Sequence, residues 1–169
     1  MNKNMLTIRL ATTNDVPLIH ELAWKIFPET YKNILSTEQK DFMMEWMYSI
    51  QNLIKQMTEE NHTYLLGYEN NICIGYVSVQ PQNGTTYHLQ KLYVLPEKQG
   101  HGYGKQLFMA AVEFVKSTNS EIKSIQLNVN RYNSAQSFYK HLGMKIIAEG
   151  DFDIGHGYYM NDYIMEYEL

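Results

Sequence analysis

The chain lacks several features, and each absence narrows what it can be. It carries a single cysteine, Cys73, among 169 residues, so no intrachain disulfide can staple it. Flanked by Ile72 and Ile74, that thiol reads as a small buried hydrophobe rather than a nucleophile. Proline and glycine number only 4 and 10, which excludes collagen-like and Pro/Gly-rich disordered architectures. Basic residues show no excess. The 14 Lys and Arg stand against 18 Asp and Glu for a net charge of -4, whereas a nucleic-acid binder carries a basic surplus. No apolar run approaches the ~20 residues of a membrane-spanning helix. Residues 1–4 hold no apolar leader, so a cytoplasmic protein with neither nucleic-acid nor membrane partners is expected. What is present is 44% hydrophobic and 19% charged residues. A chain of this length removes about 70% of its unfolded surface from water, enough for one self-sufficient core.

No repeat or linker interrupts the chain, and it reads as one domain over 1–169. Leu6, Ile8 and Leu10 alternate with polar residues as in a half-buried strand. A helix follows, capped by Thr13 or Asn14, with Pro17 in its first turn and Leu18, Leu22 and Ile26 at helical spacing. Ser36-Thr37-Glu38-Gln39 has the form of a capping box and opens a second helix to about Tyr48, with a further short helical piece over 51–57. Phe42, Met43, Met44, Trp46 and Met47 make these pieces rich in soft apolar side chains, which fits core packing. Residues 64–68, 72–79 and 87–94 read as strands separated by Asn70-Asn71 and Asn83-Gly84, pairs suited to tight hairpin turns. A Gly-rich stretch then precedes a helix over 105–117, followed by a strand over 125–129 and a helix over 134–141 that stops at Gly143. Strands over 145–149 and 158–167 finish an order β-α-α-β-β-β-α-β-α-β-β. A mixed α/β sheet with helices on both faces is the natural packing.

The segment richest in chemistry runs Leu92-Tyr93-Val94-Leu95-Pro96-Glu97-Lys98-Gln99-Gly100-His101-Gly102-Tyr103-Gly104-Lys105. A strand, a loop with alternate glycines and a helix start together build an anion cradle. Glycine lets backbone amides approach a ligand, and the helix N-terminus adds about half a positive charge, so a pyrophosphate is the expected guest. The dinucleotide fingerprint G-x-G-x-x-G does not fit, and the next strand ends in Asn128 and Asn130 rather than an acidic residue. No Gly-Lys-Ser/Thr stands at P-loop spacing either.

Gln99-Gly100-His101-Gly102-Tyr103-Gly104 resembles the Gln/Arg-x-x-Gly-x-Gly/Ala loop of the GCN5-related N-acetyltransferases (GNAT). Downstream, Asn133-Ser134-Ala135-Gln136-Ser137-Phe138-Tyr139-Lys140-His141-Leu142-Gly143-Met144 is similar to that family's second motif, Asn-x-x-Ala-x-x-Phe-Tyr-x-x-x-Gly-Phe, with Met144 for Phe and one residue fewer between Asn133 and Ala135 as its departures. The specific motifs span residues 92–144. The resemblance implies a single-domain GNAT fold: a mixed, twisted sheet of about seven strands, splayed in a V between the fourth and fifth. It also implies that Gln99, Gly100, His101, Gly102, Tyr103, Gly104 and Lys105 hold the pyrophosphate of acetyl-coenzyme A, the acetyl donor. Leu92, Tyr93 and Val94 would pair with its pantetheine arm, an amide of Tyr93 or Val94 polarising the thioester carbonyl. Asn133 would contact the arm, and Tyr139 would stand beside the sulfur. No metal is implied.

Elementary chemistry agrees with these roles. Aminolysis of a thioester needs a neutral amine, a stabilised oxyanion and a protonated leaving thiolate. A phenol of pKa about 10 can protonate a thiolate whose conjugate acid is near 8.5, which suits Tyr139. The amine arrives as ammonium and needs a base. His88, on a strand face with Gln90 and Leu92 by period two, is the candidate, with Glu21, Glu29, Asp41 and Glu45 as alternatives. His141 reads as surface, and Asp151, Asp153 and His156 as a polar hairpin without metal-ligand spacing. In this family the first two helices and the final hairpin frame the acceptor pocket. Here those positions hold Phe27, Tyr31, Trp46, Tyr158, Tyr159 and Tyr163, with Glu29, Asp41, Glu45 and Asp162 near in sequence. Aromatic and acidic walls suit a cationic amine, and the tail from Tyr158 to Met165 is similar to that of bacterial polyamine acetyltransferases. A small-molecule amine such as a polyamine is therefore the expected acceptor. Alternatives are a protein N-terminus or lysine, a non-catalytic acetyl-coenzyme A sensor, and an interaction module built on the Met-rich helices. Family members often dimerise, which leaves a homodimer open.

Overall fold

The computed structural model describes residues 5–169, and the leader reading of residues 1–4 lies outside the described residues. The order is β1 (Thr7–Leu10), α1 (Val16–Thr30), α2 (Thr37–Tyr48), α3 (Ile50–Thr58), β2 (Thr63–Glu69), β3 (Ile72–Pro81) and β4 (Thr86–Val94). There follow α4 (Tyr103–Thr118), β5 (Ser124–Asn130), α5 (Ala135–His141), β6 (Lys145–Gly155) and β7 (Tyr158–Glu168).

Several local signals act at positions other than those expected. Thr12, not Thr13 or Asn14, accepts from a backbone amide at the entrance to the first helix, capping a 3-10 turn over Thr13–Asp15 that leads into α1. The piece over 51–57 is an independent helix, α3. Ser49, extended at ψ 150°, ends α2, and its hydroxyl accepts from the Asn52 amide at 3.2 Å to start α3. Only half of the expected capping box forms. Ser36 Oγ accepts from the Gln39 amide at 3.1 Å, while the Gln39 side chain donates to the Tyr159 carbonyl at 3.1 Å. The last hairpin extends well past residue 149, because both strands keep pairing to a tip where Gly155, His156 and Gly157 all have positive φ.

Seven strands form one sheet in the order β1-β2-β3-β4-β5-β7-β6, in which β4 and β5 run parallel and the other neighbours antiparallel. Helices cover both faces, as the alternation of β3 requires. Gly75 faces α4, where Leu107 packs over Gly67 and Gly75, and Tyr76 points the other way, its hydroxyl donating to Tyr48 of α2 at 2.8 Å. Met43 and Met44 are buried in this core, so the methionines of α2 serve packing and the reading of them as a partner surface loses its basis. Cys73 is buried and its thiol pKa pushed up by that burial, in keeping with a small hydrophobe.

A basic side chain sits inside the layer between the sheet and α2–α3. Lys91 of β4 is buried, with its Nζ 2.6 Å from the Tyr64 hydroxyl, 3.0 Å from the Gln56 Oε1 and 3.0 Å from the Met47 carbonyl. Its ammonium lies 4.1 Å from the centre of the Tyr48 ring. Burial drives its pKa well below the ordinary value.

Close approach is strictest at Gly75. A Cβ there would stand 2.6 Å from the Tyr93 carbonyl oxygen and 3.2 Å from the Val94 Cα, so β3 and β4 would have to part. Gly75→Ala is expected to cost about 1–3 kcal/mol, read as a lowered Tm in thermal unfolding followed by circular dichroism. An unchanged Tm would contradict this contact.

Candidate active site

The β4–β5 ladder is short. Thr86, Tyr87 and His88 pair with Ser124, Ile125 and Gln126, and there the pairing stops, although β4 continues to Val94 and β5 to Asn130. A bulge accompanies the departure. Ser78 opposes Lys91 and Val79 opposes Leu89, which leaves Gln90 as an extra residue in β4. Bulges bend a strand and raise its twist, and this one stands where the strands separate. It also shifts the side-chain phase, so His88 and Leu92 do not share a face as period two predicts.

The resulting gap opens into a cavity of about 800 Å³. Its walls include Leu92, Tyr93 and Val94 on β4, Gln99, Gly100 and Gly102 on the loop, and Tyr103, Gly104 and Lys105 on α4. Asn133 and Tyr139 complete it from the second motif. Two candidate residues stand outside the lining. His101 points to solvent beside Tyr103. His88 closes the last β4–β5 pair and meets the cavity wall through Asn128, whose Oδ1 lies 3.1 Å from its Nε2, and through the Gln90 side chain.

The loop has the features of an anion cradle. Helix α4 begins at Tyr103, two residues before the expected start, and Gly102 precedes it in the left-handed region at φ 81° with no side-chain cap on the helix. A Cβ at Gly100 or Gly102 would meet no atom within 4 Å, so the space above the backbone is open to a ligand. Gln99 Nε2 donates to the Val94 carbonyl at 3.2 Å, tying the loop to the end of β4. Lys98 is held by Glu69 at 2.6 Å, and Tyr103 donates its hydroxyl to the same carboxylate. Lys98 and Tyr103 keep that carboxyl below its usual range. Positive character at the cradle therefore comes from the α4 N-terminus and Lys105.

At the other end three phenols converge. The Tyr31 and Tyr93 hydroxyls are 3.2 Å apart, and Tyr139, 8% exposed, acts electrostatically on both. Burial raises the pKa of all three above the ordinary phenol value, so each stays protonated across the physiological range and can donate but not act as a base. Asn133 Oδ1 accepts from the Ala135 amide at 2.9 Å, fixing the turn into α5 that presents Tyr139. Of the side chains expected to frame an acceptor pocket, Tyr31 and Glu29 line the cavity. Phe27 is buried behind Tyr31. Trp46 and Tyr159 are exposed, and Tyr158 packs on Phe42.

Three wall or near-wall residues were not assigned a role from sequence. Lys91 has no reading of its own in the sequence, and Asn128 serves there only as a mark against the dinucleotide motif. Asp162 was one carboxylate among several. None carries a local signal, because Lys91 and Asp162 acquire their burial, and Asn128 its bonds to His88 and Asp162, from non-neighbouring strands or helices.

His88 and His62 form a polar patch behind the gap. Each has an Nδ1 without a hydrogen-bond partner. Burial lowers both pKa values, with the charge of Lys91 and then His88 adding to the effect on His62, which falls to about 4.

Residues 16–144 match the acetyltransferase (GNAT) family. The PaiA N-acetyltransferase of Thermoplasma acidophilum, solved in complex with coenzyme A, is 25% identical and superposes with a TM-score of 0.80 over 98% of this chain and 99% of that one. The GCN5-related N-acetyltransferase of Rhodopseudomonas palustris, 15% identical, has a TM-score of 0.82 over 100% and 99%. The spermidine/spermine N-acetyltransferase SpeG of Vibrio cholerae, in mutant forms, is 20% identical with a TM-score of 0.66 over 97% and 95%. A UPF0039 protein of Schizosaccharomyces pombe is 27% identical over 86 residues, covering 51% of this chain and 56% of that protein. The match thus spans about half the length of that curated relative.

The sign of the pH dependence follows from His62. Unfolded, it takes a proton near pH 6.5; folded, only near 4. Between those values the unfolded chain binds more protons, so stability falls as pH drops through this window and levels off below it. Urea midpoints at pH 7 and pH 5 should differ less in His62→Gln than in the wild type, and equal differences would contradict the buried, neutral assignment.

Proposed function

The chain belongs to the acetyltransferase (GNAT) family, and from that premise we propose that it moves the acetyl group of acetyl-coenzyme A to the primary amine of a small cationic molecule, by direct attack in a ternary complex. The observation that carries this reading is the single cavity running from the Gly100–Lys105 cradle, through the parted strands, to Tyr139. The pyrophosphate belongs at Gly100, Gly102 and the α4 N-terminus, where backbone donors and the helix dipole face open space. The arm belongs along Leu92, Tyr93 and Val94, whose β5 side has no strand partner. A Tyr93 or Val94 amide there polarises the thioester carbonyl and stabilises the oxyanion.

Tyr139 is the proton donor for the departing sulfur. Its burial keeps the hydroxyl protonated until a thiolate develops nearby. Asn133 holds the turn that aims it. His88, neutral and bonded to Asn128, contributes from behind the wall rather than by contact with the amine.

A small acceptor is favoured over an extended peptide by the contacts between α2 and the tip of the β6–β7 hairpin. Phe42 packs on His156 at 4.7 Å and on Tyr158 at 5.3 Å between ring centroids, and Gln39 holds the Tyr159 carbonyl. These ties join the two elements expected to frame the acceptor side, an arrangement that suits an enclosed pocket better than an open, strand-lined peptide groove. SpeG of Vibrio cholerae is a spermidine/spermine N-acetyltransferase, which makes polyamines the first acceptors to try.

Acetyl-coenzyme A consumption should appear with spermidine and related alkylamines, and activity confined to peptide N-termini would remove the small-amine reading. Tyr139→Phe should lower kcat by about 100-fold or more with coenzyme A affinity retained in calorimetry. An unchanged slow turnover in that variant would instead mark the protein as a binder of the donor.

A further inference from the structure

Asp162 is the one carboxylate among the buried side chains of the described residues, 4% exposed. It stands on β7 opposite Asn130 of β5 and Gly150 of β6. Its Oδ2 accepts from Asn128 Nδ2 across a long 3.4 Å, and its Oδ1 has no partner. No described basic side chain pairs with it. Arg131, whose charge reaches it through space, is engaged by Asp151 at 2.5 Å and Glu149 at 3.5 Å. A buried carboxylate without a cation is unfavourable by several kcal/mol unless a partner arrives or it takes a proton.

The position of this charge shows which partner it suits. Asn128, the group it holds so loosely, lines the cavity, and so does Tyr31, whose phenol feels the Asp162 charge. Asn128 also bonds His88, whose Nδ1 is likewise without a partner, so the amide lies between two groups with unused hydrogen-bonding capacity. The other carboxylate at the cavity, Glu29, is already paired with Lys32 at 2.6 Å. The Lys91 amine, also on the cavity lining, has its hydrogen bonds directed at Met47, Gln56 and Tyr64.

We propose that Asp162 is the counter-ion and proton acceptor for the ammonium group of the acceptor, with the Asn128 amide as the movable group between carboxylate and cavity. This rests on the reading of the protein as an amine acetyltransferase. The ammonium displaces Asn128 from Oδ2 and gives one proton to the carboxylate. The neutral nitrogen then forms a bond to the thioester carbonyl carbon, and the carbon–sulfur bond breaks. The sulfur takes the Tyr139 proton, and Tyr139 recovers one from the nitrogen. Asp162 returns its proton to solvent as the amide leaves, so one ammonium and one thioester give one amide, one thiol and one proton. Burial holds the Asp162 carboxyl above its usual pKa, which makes it a better proton acceptor than a solvated aspartate.

The full chain is titrated first with coenzyme A and then, saturated with it, with primary alkylamines from butylamine to spermidine, in wild type and Asp162→Asn. The expected result is equal coenzyme A heat in both and alkylamine binding weakened roughly tenfold or more in the variant, the loss of a charged hydrogen bond. Intact coenzyme A binding with no alkylamine bound, or with equal affinities in the two proteins, overturns this assignment alone. Absence of coenzyme A heat in the wild type overturns the transfer reading and the assignment with it. A second measurement is insensitive to incomplete folding of the variant: the ratio of kcat/KM for an alkylammonium to that for an arylamine already neutral at the assay pH. Asp162→Asn should lower that ratio by about tenfold or more, and an unchanged ratio makes Asp162 a structural residue only.

Discussion

Beyond His88 and Gln126 the ladder between β4 and β5 ends, and the backbone groups left facing the gap govern everything else about the site. Unpaired main-chain donors and acceptors inside a protein need partners, and here they face the cavity between the two strands. Gln90 contributes by adding a residue to β4 without adding one to β3. The extra residue bends the strand away from β5 while its other edge stays hydrogen-bonded to β3. Gly75 permits this on the far side, since nothing larger fits against Tyr93 and Val94.

The same gap decides where charge can reside. Two ionisable groups are buried near the cavity without an ion-pair partner, Lys91 among the tyrosines of the helical side and Asp162 beside Asn128. They take different local solutions. Lys91 has three hydrogen-bond partners and an aromatic face, while burial drives its pKa well down. Asp162 has one long hydrogen bond and an oxygen with none. Between them the phenols of Tyr31, Tyr93 and Tyr139 stay protonated because burial penalises phenolate. The cavity therefore combines neutral donors with an open glycine loop at a helix start, and an unsatisfied carboxylate stands behind Asn128.

Much of this was readable before any coordinates. The alternate glycines after β4 and the run from Asn133 to Met144 marked the cradle and the Tyr139 helix, since both depend on short-range sequence. The turn asparagines at 70 and 71 take positive φ as their type suggests. The failures share a cause. His88 was placed with Leu92 by strict alternation, which a bulge invisible in a single strand's sequence interrupts. Gln39 looked like half of a reciprocal cap, yet its amide serves a hairpin more than a hundred residues away.

Composition, periodicity and two spaced motifs determined the fold class and the place of the Gly-rich loop between β4 and α4, because those properties follow from local backbone preference and hydrophobic pattern. Tertiary structure alone decided that Lys91 and Asp162 are buried, that Asn128 separates one of them from the cavity, and that His88 stands behind the wall. Burial and partnership depend on which distant strands and helices meet, and no residue's own sequence neighbourhood carries that information.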